Sequence, residues 1–230
     1  MASSSAKWSY FTARVPSSFL FFTFFVLLGA FSTHYDKEYP RYVLGDNYVE
    51  TTLKNIKDGD PMGIYKSSGQ ENMFWGITLN NLRVSAMTFV AGIFVCFGTC
   101  YFLFKNAIML GCFQYFFVTK GLFIDSFLAI WIHGTVEISC IIIAGAAGIA
   151  LGRSFMFPGT LSRKDSFIRG ARDSVLIFLS IVPLIILAGF LESFVTRLTE
   201  VPTLFRMFII LGSLTVILFY YVYYPRQLKK

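Results

Sequence analysis

Long apolar stretches alternate with short polar segments along this chain. The apolar stretches cover residues 17–35, 84–104, 107–118, 127–151, 174–190 and 205–224. A helix rises about 1.5 Å per residue, so roughly 20 apolar residues cross a bilayer. The third stretch has only 12 residues and is predicted as a short tilted span or a re-entrant segment. The pattern predicts an all-α, polytopic integral membrane helix bundle with six membrane-embedded segments; five crossings are the alternative.

The polar segments divide the chain into four parts. These are a short cytoplasmic N-terminus at 1–15, a first transmembrane helix at 16–35, an external polar loop at 36–72, and the remaining bundle at 73–230 with a basic cytoplasmic loop at 153–173. The first transmembrane segment also has the basic start and small residues of a cleavable signal peptide, but a retained helix is favoured.

Local start signals add detail to two of these parts. Ser68 and Glu71 match a capping box, which predicts a long helix from Gln70 through Phe104. Ser162 and Asp165 provide a similar signal inside the basic loop. That loop is predicted either as an amphipathic helix on the inner leaflet or as an ordinary loop.

Composition supports a membrane location. Hydrophobic residues make up 55% of the chain and charged residues only 14%, whereas soluble domains carry about 25% charged residues. The net charge of +7 comes from cations beside apolar stretches, a pattern that orients membrane helices and does not indicate nucleic-acid binding. The four cysteines lie inside apolar stretches without a metal-binding spacing.

The distribution of cations in short loops predicts the orientation. With six crossings, 11 basic residues face one side and 3 the other; with five crossings the division is 6 against 8. The positive-inside rule therefore favours six crossings, with both termini cytoplasmic in a prokaryotic inner membrane.

Polar residues within the apolar stretches are the candidate functional residues. His133 and Glu137 are four residues apart and share a helix face, which must be covered by protein or water because hydrocarbon does not solvate an ion. With six crossings, one polar layer near the outer surface is predicted to contain Asn80, Asn81, Arg83, His133, Glu137 and Glu192.

Three interpretations of this layer stay open. The first is a hydrogen-bonded pair that fixes helix register, the second is a binding or conduction site, and the third is catalysis or metal binding. A His-Glu-x-x-His metalloprotease motif would need a second histidine, which the sequence lacks at that spacing. No catalytic residue, metal or cofactor is therefore assigned. Beyond Glu137, Gly145, Gly148 and Gly152 are predicted to pack helices within one chain, and a dimer seam is the less favoured alternative.

The ordered set of motifs resembles the stage II sporulation protein M family. It comprises "NNLRV", "GTCYFLFKNAIMLGCFQYFF", "IHGTVEISCIIIAGAAGIALG", "PGTLSR" and "AGFLESFVTR" between Asn80 and Thr196. The resemblance implies a polytopic inner-membrane protein that has no established catalytic activity. In endospore formers, members act as a platform that localises peptidoglycan-degrading enzymes.

The expected function is therefore a non-enzymatic scaffold or assembly factor for envelope remodelling. The expected partners are membrane lipids, other envelope membrane proteins including peptidoglycan hydrolases, and a second copy of the chain. A permease-like subunit for a small solute or lipid is one alternative, and an intramembrane hydrolase using His133 and Glu137 is another.

Overall fold

A computed structural model describes residues 14–63, 69–198 and 201–227. Within these ranges every regular element is a helix. The helices are α1 (Val15–Tyr35), α2 (Tyr39–Leu44), α3 (Asp46–Lys57), α4 (Gln70–Val90), α5 (Phe97–Thr119), α6 (Phe123–Met156), α7 (Arg163–Phe190), α8 (Thr203–Leu218) and α9 (Tyr224–Gln227). A 3₁₀ turn (Ala91–Ile93) follows α4, and π-helical segments extend α7 (Leu191–Val195) and α8 (Phe219–Tyr223).

Six long helices form the bundle, which confirms the predicted fold class. Five of them, α1, α5, α6, α7 and α8 with their extensions, are long and apolar enough to cross a membrane by length and composition. Helix α4 is more polar, yet it lies beside α6 and α7 along its length: Thr78 contacts Gly189, and Gly92, just after α4, contacts Gly148. Helix α4 is therefore the sixth membrane-embedded segment.

Helix α6 lies at the centre of the bundle. In its most apolar 18-residue stretch 72% of the residues are buried, compared with 11% in the corresponding stretch of α8. Its alanine- and glycine-rich part allows neighbouring helices to approach closely. The Ser18 hydroxyl of α1 donates to the Ile142 carbonyl at 2.9 Å, and the Cys140 thiol donates to the Ile181 carbonyl of α7 at 3.9 Å.

The long helices run in alternate directions, so each connection lies at one of two ends. We call the end that carries α2 and α3 the loop end; there His34 Nδ1 lies 2.6 Å from the Tyr115 hydroxyl. We call the end that carries Val15 and Gln227 the opposite end; there the Ser166 hydroxyl donates to the Ser154 carbonyl at 2.6 Å. The outer faces of α1 and α8 carry many exposed apolar side chains, as expected of surfaces that face lipid.

The helix predicted from Gln70 through Phe104 is interrupted in the structure. Helix α4 ends at Val90, and the chain reverses through the 3₁₀ turn and two residues with positive φ, Val95 (56°) and Cys96 (69°). Gly92 makes this reversal compatible with packing, because a Cβ there would overlap the backbone of Gly148. The reversal consists of apolar residues, so hydropathy cannot detect it.

The position of this reversal also shows that the prediction for the third apolar stretch is wrong. Residues 107–118 are the second part of α5, a full helix of 23 residues, and not a short or re-entrant segment. Lys105 and Asn106 divide the stretch in the sequence, but the helix tolerates both: the Asn106 amide donates to the Phe102 carbonyl at 2.8 Å.

Of the two predicted helix N-caps, Ser162 is confirmed and Ser68 is not tested. Ser162 caps α7, since its hydroxyl accepts from the Asp165 N–H at 3.1 Å. Most of the predicted basic loop at 153–173 is helical instead, because α6 continues to Met156 and α7 begins at Arg163 as one continuous helix. Ser68 of the predicted capping box lies outside the described residues.

The glycines on α6 pack against helices of the same chain. A Cβ on Gly145 would lie 2.8 Å from Leu103, and one on Gly152 would lie 2.7 Å from the Cys96 sulfur. A Cβ on Gly148 would lie 2.9 Å from the carbonyl oxygens of both Thr88 and Phe89. The small size of these glycines therefore allows helices of one chain to pack closely, as predicted.

Candidate functional site

Three of the six predicted polar-layer residues converge in the structure. His133, Glu137 and Glu192 each offer a nitrogen or oxygen atom, and these atoms all lie within 4.8 Å of one another. The His133 side chain is 5% exposed and the Glu192 side chain 15%. We call this group the His–Glu cluster. It lies between α6 and the end of α7, toward the loop end.

A π-helical segment carries Glu192 into the cluster. Helix α7 widens at Leu191–Val195, where the Thr196 N–H donates to the Leu191 carbonyl at 2.9 Å, five residues back. The extra residue in this turn changes the direction in which the following side chains point. π-helical turns occur frequently at functional sites, and no signal in this sequence predicts one here.

A chain of hydrogen bonds orients the His133 ring. The Thr196 hydroxyl donates to the Leu191 carbonyl at 3.2 Å, and His133 Nδ1 lies 3.0 Å from the same hydroxyl oxygen. When the hydroxyl gives its proton to the carbonyl, it accepts from Nδ1, and the ring proton is on Nδ1. Nε2 is then the acceptor nitrogen, and it lies 3.8 Å from Glu192 Oε2. Sequence reasoning did not identify Thr196 as part of the site.

Asn81 reaches the cluster from α4. Its residue is 6% exposed, and its amide interacts with the Glu137 carboxyl group. The Asn81 Nδ2 nonetheless has no acceptor at hydrogen-bond geometry among the described residues. The cluster is thus bordered by a buried donor whose hydrogen-bonding capacity is not used.

Asn80 and Arg83 do not join the cluster, contrary to the prediction. Both are exposed, and Asn80 only donates to Asn81 Oδ1 at a long 3.5 Å. The buried face of α4 contains Thr78, Asn81 and Ser85, at helical spacings of three and four. Residues 80 and 83 are rotated away from this face because successive residues turn by about 100°.

A cavity reaches the cluster from beneath α2 and α3. Its volume is about 270 Å³, and it lies between α2, α3, α5 and α6 with a smaller contribution from α1. His133 and Glu137 line it together with Tyr48 and Asn106, and the remaining lining residues are mostly apolar. Burial raises the pKa of Tyr48 above its ordinary value, so this phenol stays neutral. The cavity therefore borders His133 and Glu137 of the cluster, whereas Glu192 does not line it.

A second cavity is a lateral groove between α1 and α8. Its volume is about 330 Å³, its floor is formed by α5 and α6, and its lining is almost entirely apolar. It extends from Val15 and Val222 at one end to Gln114 and Trp131 at the other. We call it the lateral groove.

The arrangement allows a limited set of chemistries. An imidazole beside two carboxyl groups can exchange protons or hold a cation, and it can fix helix register through hydrogen bonds. Within the described residues the cluster contains one histidine, so the two-histidine zinc motif of metalloproteases is not formed here.

Comparison with known proteins places the chain in a family. The family model "Stage II sporulation protein M" matches residues 18–197, a range that contains most of α1, all of α2 to α7 and the whole His–Glu cluster. The chain has no significant match among curated proteins or solved structures. Because the match covers well over half of the sequence, the chain belongs to the stage II sporulation protein M family.

Proposed function

We propose that the protein is a non-enzymatic membrane scaffold or assembly factor for envelope (peptidoglycan) remodelling. Family membership and the platform role implied by the resemblance support this proposal. We place the protein in a prokaryotic cytoplasmic membrane with both termini cytoplasmic, since six membrane-embedded segments put most loop cations on one side.

The lateral groove is the observation that carries the proposal. Helix α8 is poorly covered by the rest of the chain, with only 11% of its most apolar stretch buried. The groove extends along much of the bundle, from Val15 and Val222 at one end to Gln114 at the other. A long apolar surface of this kind can accept a partner's single transmembrane helix through van der Waals packing. An envelope hydrolase anchored by one such helix is the partner that we propose.

We expect a photo-cross-linking amino acid at Leu218 to capture a membrane-anchored envelope protein in living cells. Leu218 lines the groove and is 49% exposed, so its side chain would contact an inserted helix. The adduct is detected by a mobility shift and identified by mass spectrometry.

Leu179 of α7 supplies the matched control, because it is 55% exposed and does not line the groove. A defined adduct at Leu218 and none at Leu179 supports the scaffold. Equal labelling at the two positions, or capture of lipid alone at Leu218, contradicts a partner helix in the groove.

A permease-like subunit is the second candidate, favoured by the cavity that reaches His133 and Glu137. Ionisable residues buried within membrane helices often mark solute or proton pathways.

The variant Glu137→Gln distinguishes the two candidates. The carboxamide keeps hydrogen-bonding capacity but cannot carry a charge, so we expect a scaffold to retain its partners in pull-down experiments. The exposed change Glu71→Gln is the control. Loss of solute uptake, or of its pH dependence, in a folded Glu137→Gln protein would instead identify a permease.

A further inference from the structure

We propose that His133, Glu137 and Glu192 form a binding site for one divalent transition-metal cation, held by His133 Nε2 and the two carboxylates. This inference goes beyond the scaffold function and does not depend on it. From the sequence no metal is predicted here, because the second histidine of a His-Glu-x-x-His motif is missing. In the structure a second carboxyl group, Glu192, lies beside His133.

The charge of the cluster is the first argument. A divalent cation bound here would displace the protons of both carboxyl groups, and the two carboxylates with a neutral imidazole would then carry two negative charges in a buried place. One basic side chain contacts a carboxyl group of the cluster, since His133 Nε2 lies 3.8 Å from Glu192 Oε2. Arg83, the cation of the predicted polar layer, is exposed instead. A divalent cation makes the whole set neutral, which removes the large cost of burying uncompensated charge.

The orientation of the histidine is the second argument. In the tautomer that donates from Nδ1 to Thr196, His133 presents the Nε2 lone pair to Glu192 Oε2. Two lone pairs that face each other repel unless a proton or a cation lies between them. In metal sites the ligating histidine commonly donates its other ring N–H to a fixed acceptor, and Thr196 has this relation to His133.

The distances are the third argument. Nε2 and Oε2 are 3.8 Å apart, too far for a hydrogen bond. Zinc binds nitrogen and oxygen at about 2.0–2.2 Å, so two ligands of a tetrahedral site lie roughly 3.4 Å apart. The upper limit of 4.8 Å within the cluster requires only small side-chain rotations to reach that spacing.

Asn81 and the cavity supply independent support. The Asn81 amide is buried beside the Glu137 carboxyl group, yet its Nδ2 has no acceptor at hydrogen-bond geometry among the described residues. A Glu137 carboxylate that binds a metal through one oxygen would offer its other oxygen as that acceptor. The cavity that His133 and Glu137 line gives a small hydrated ion a path from the loop end.

The donor set selects the class of metal. One imidazole and two carboxylates suit zinc, manganese or iron, whereas calcium prefers a shell made entirely of oxygen. We therefore expect zinc and manganese to bind and calcium not to compete.

The test uses the full chain, purified with a tag free of histidine, placed in lipid nanodiscs and stripped with a chelator. Titration with Zn²⁺, followed by dialysis and elemental analysis, should give one zinc per chain and a higher unfolding temperature. The variants Glu137→Gln and Glu192→Gln should each weaken zinc binding by at least about tenfold. Their unfolding temperatures without metal establish that they fold.

His34→Ala is the matched control, because His34 is the only other histidine in the chain and lies at the loop end. It should leave zinc binding unchanged. X-ray absorption at the zinc edge of the unmodified protein should show one imidazole and oxygen ligands, a result that does not depend on any variant folding. The site would be refuted by sulfur ligands to the zinc or by the absence of one saturable equivalent of bound zinc per chain. It would also be refuted by loss of zinc binding in His34→Ala, or by undiminished zinc binding in the two glutamine variants.

Discussion

Replacing Gly148 with leucine is expected to abolish the folded bundle. Gly148 is enclosed by Thr99 of α5 and by the carbonyl groups of Thr88 and Phe89. A single added carbon would lie 2.9 Å from both carbonyl oxygens, and these belong to helical backbone that cannot rotate away. Overpacking usually costs 1–3 kcal/mol, and a leucine confined by backbone on one side should cost at least about 3 kcal/mol.

The yield of monodisperse protein and its unfolding temperature in nanodiscs check this expectation. Gly212→Leu is the matched control, since Gly212 is also a glycine within a membrane helix but has no atom within 4 Å of an added Cβ. That change should be tolerated, because leucine has a higher helix propensity than glycine. Similar behaviour of the two variants would show that the close contact of α4, α5 and α6 is not required.

His133→Leu is the second change with a large expected effect. It removes the hydrogen bond to Thr196 and the imidazole beside Glu192, and it leaves two carboxyl groups facing an apolar side chain. Removing one partner so that buried polar groups stay unsatisfied costs about 1–3 kcal/mol. We expect a loss of that order in the free energy of unfolding, measured by reversible unfolding in detergent or bicelles.

A double variant separates the cluster from simple loss of packing. His133→Leu combined with Glu192→Leu removes both partners, and it should be more stable than the sum of the two single changes predicts, by about 0.5–3 kcal/mol. Changing the exposed His34 to leucine should have little effect. If the effects of the two cluster changes are additive, His133 and Glu192 do not interact energetically.

The membrane-embedded segments could be predicted from the sequence because lipid requires long uninterrupted apolar helices. The boundary between α4 and α5 could not. The chain reverses at Gly92 to Cys96 through residues that are apolar on both sides of the turn, so no change of hydropathy marks it. Lys105 and Asn106 gave a false boundary nearby, since a polar side chain does not end a helix when it can bond to its own backbone or extend toward the interface.

The candidate site was predictable in part for a similar reason. Topology brings the start of α6 and the end of α7 to the same end of the bundle, so His133 and Glu192 could be placed together. Which face of α4 turns inward depends on packing, and for this reason Asn81 borders the cluster whereas Asn80 and Arg83 do not. Thr196 and the π-helical turn depend on tertiary contacts that have no local sequence signal.

The glycine contact near the opposite end has a mechanical consequence. Where Gly92 meets Gly148 and Gly152, backbone lies against backbone, and helices held this closely cannot slide or rotate past one another without overlap. Near the loop end, α4 and α6 meet through the side chains of Asn81 and Glu137, which can change rotamer. We therefore expect any displacement driven by a bound ion or partner to be a pivot about the glycine contact, with the largest amplitude at the loop end.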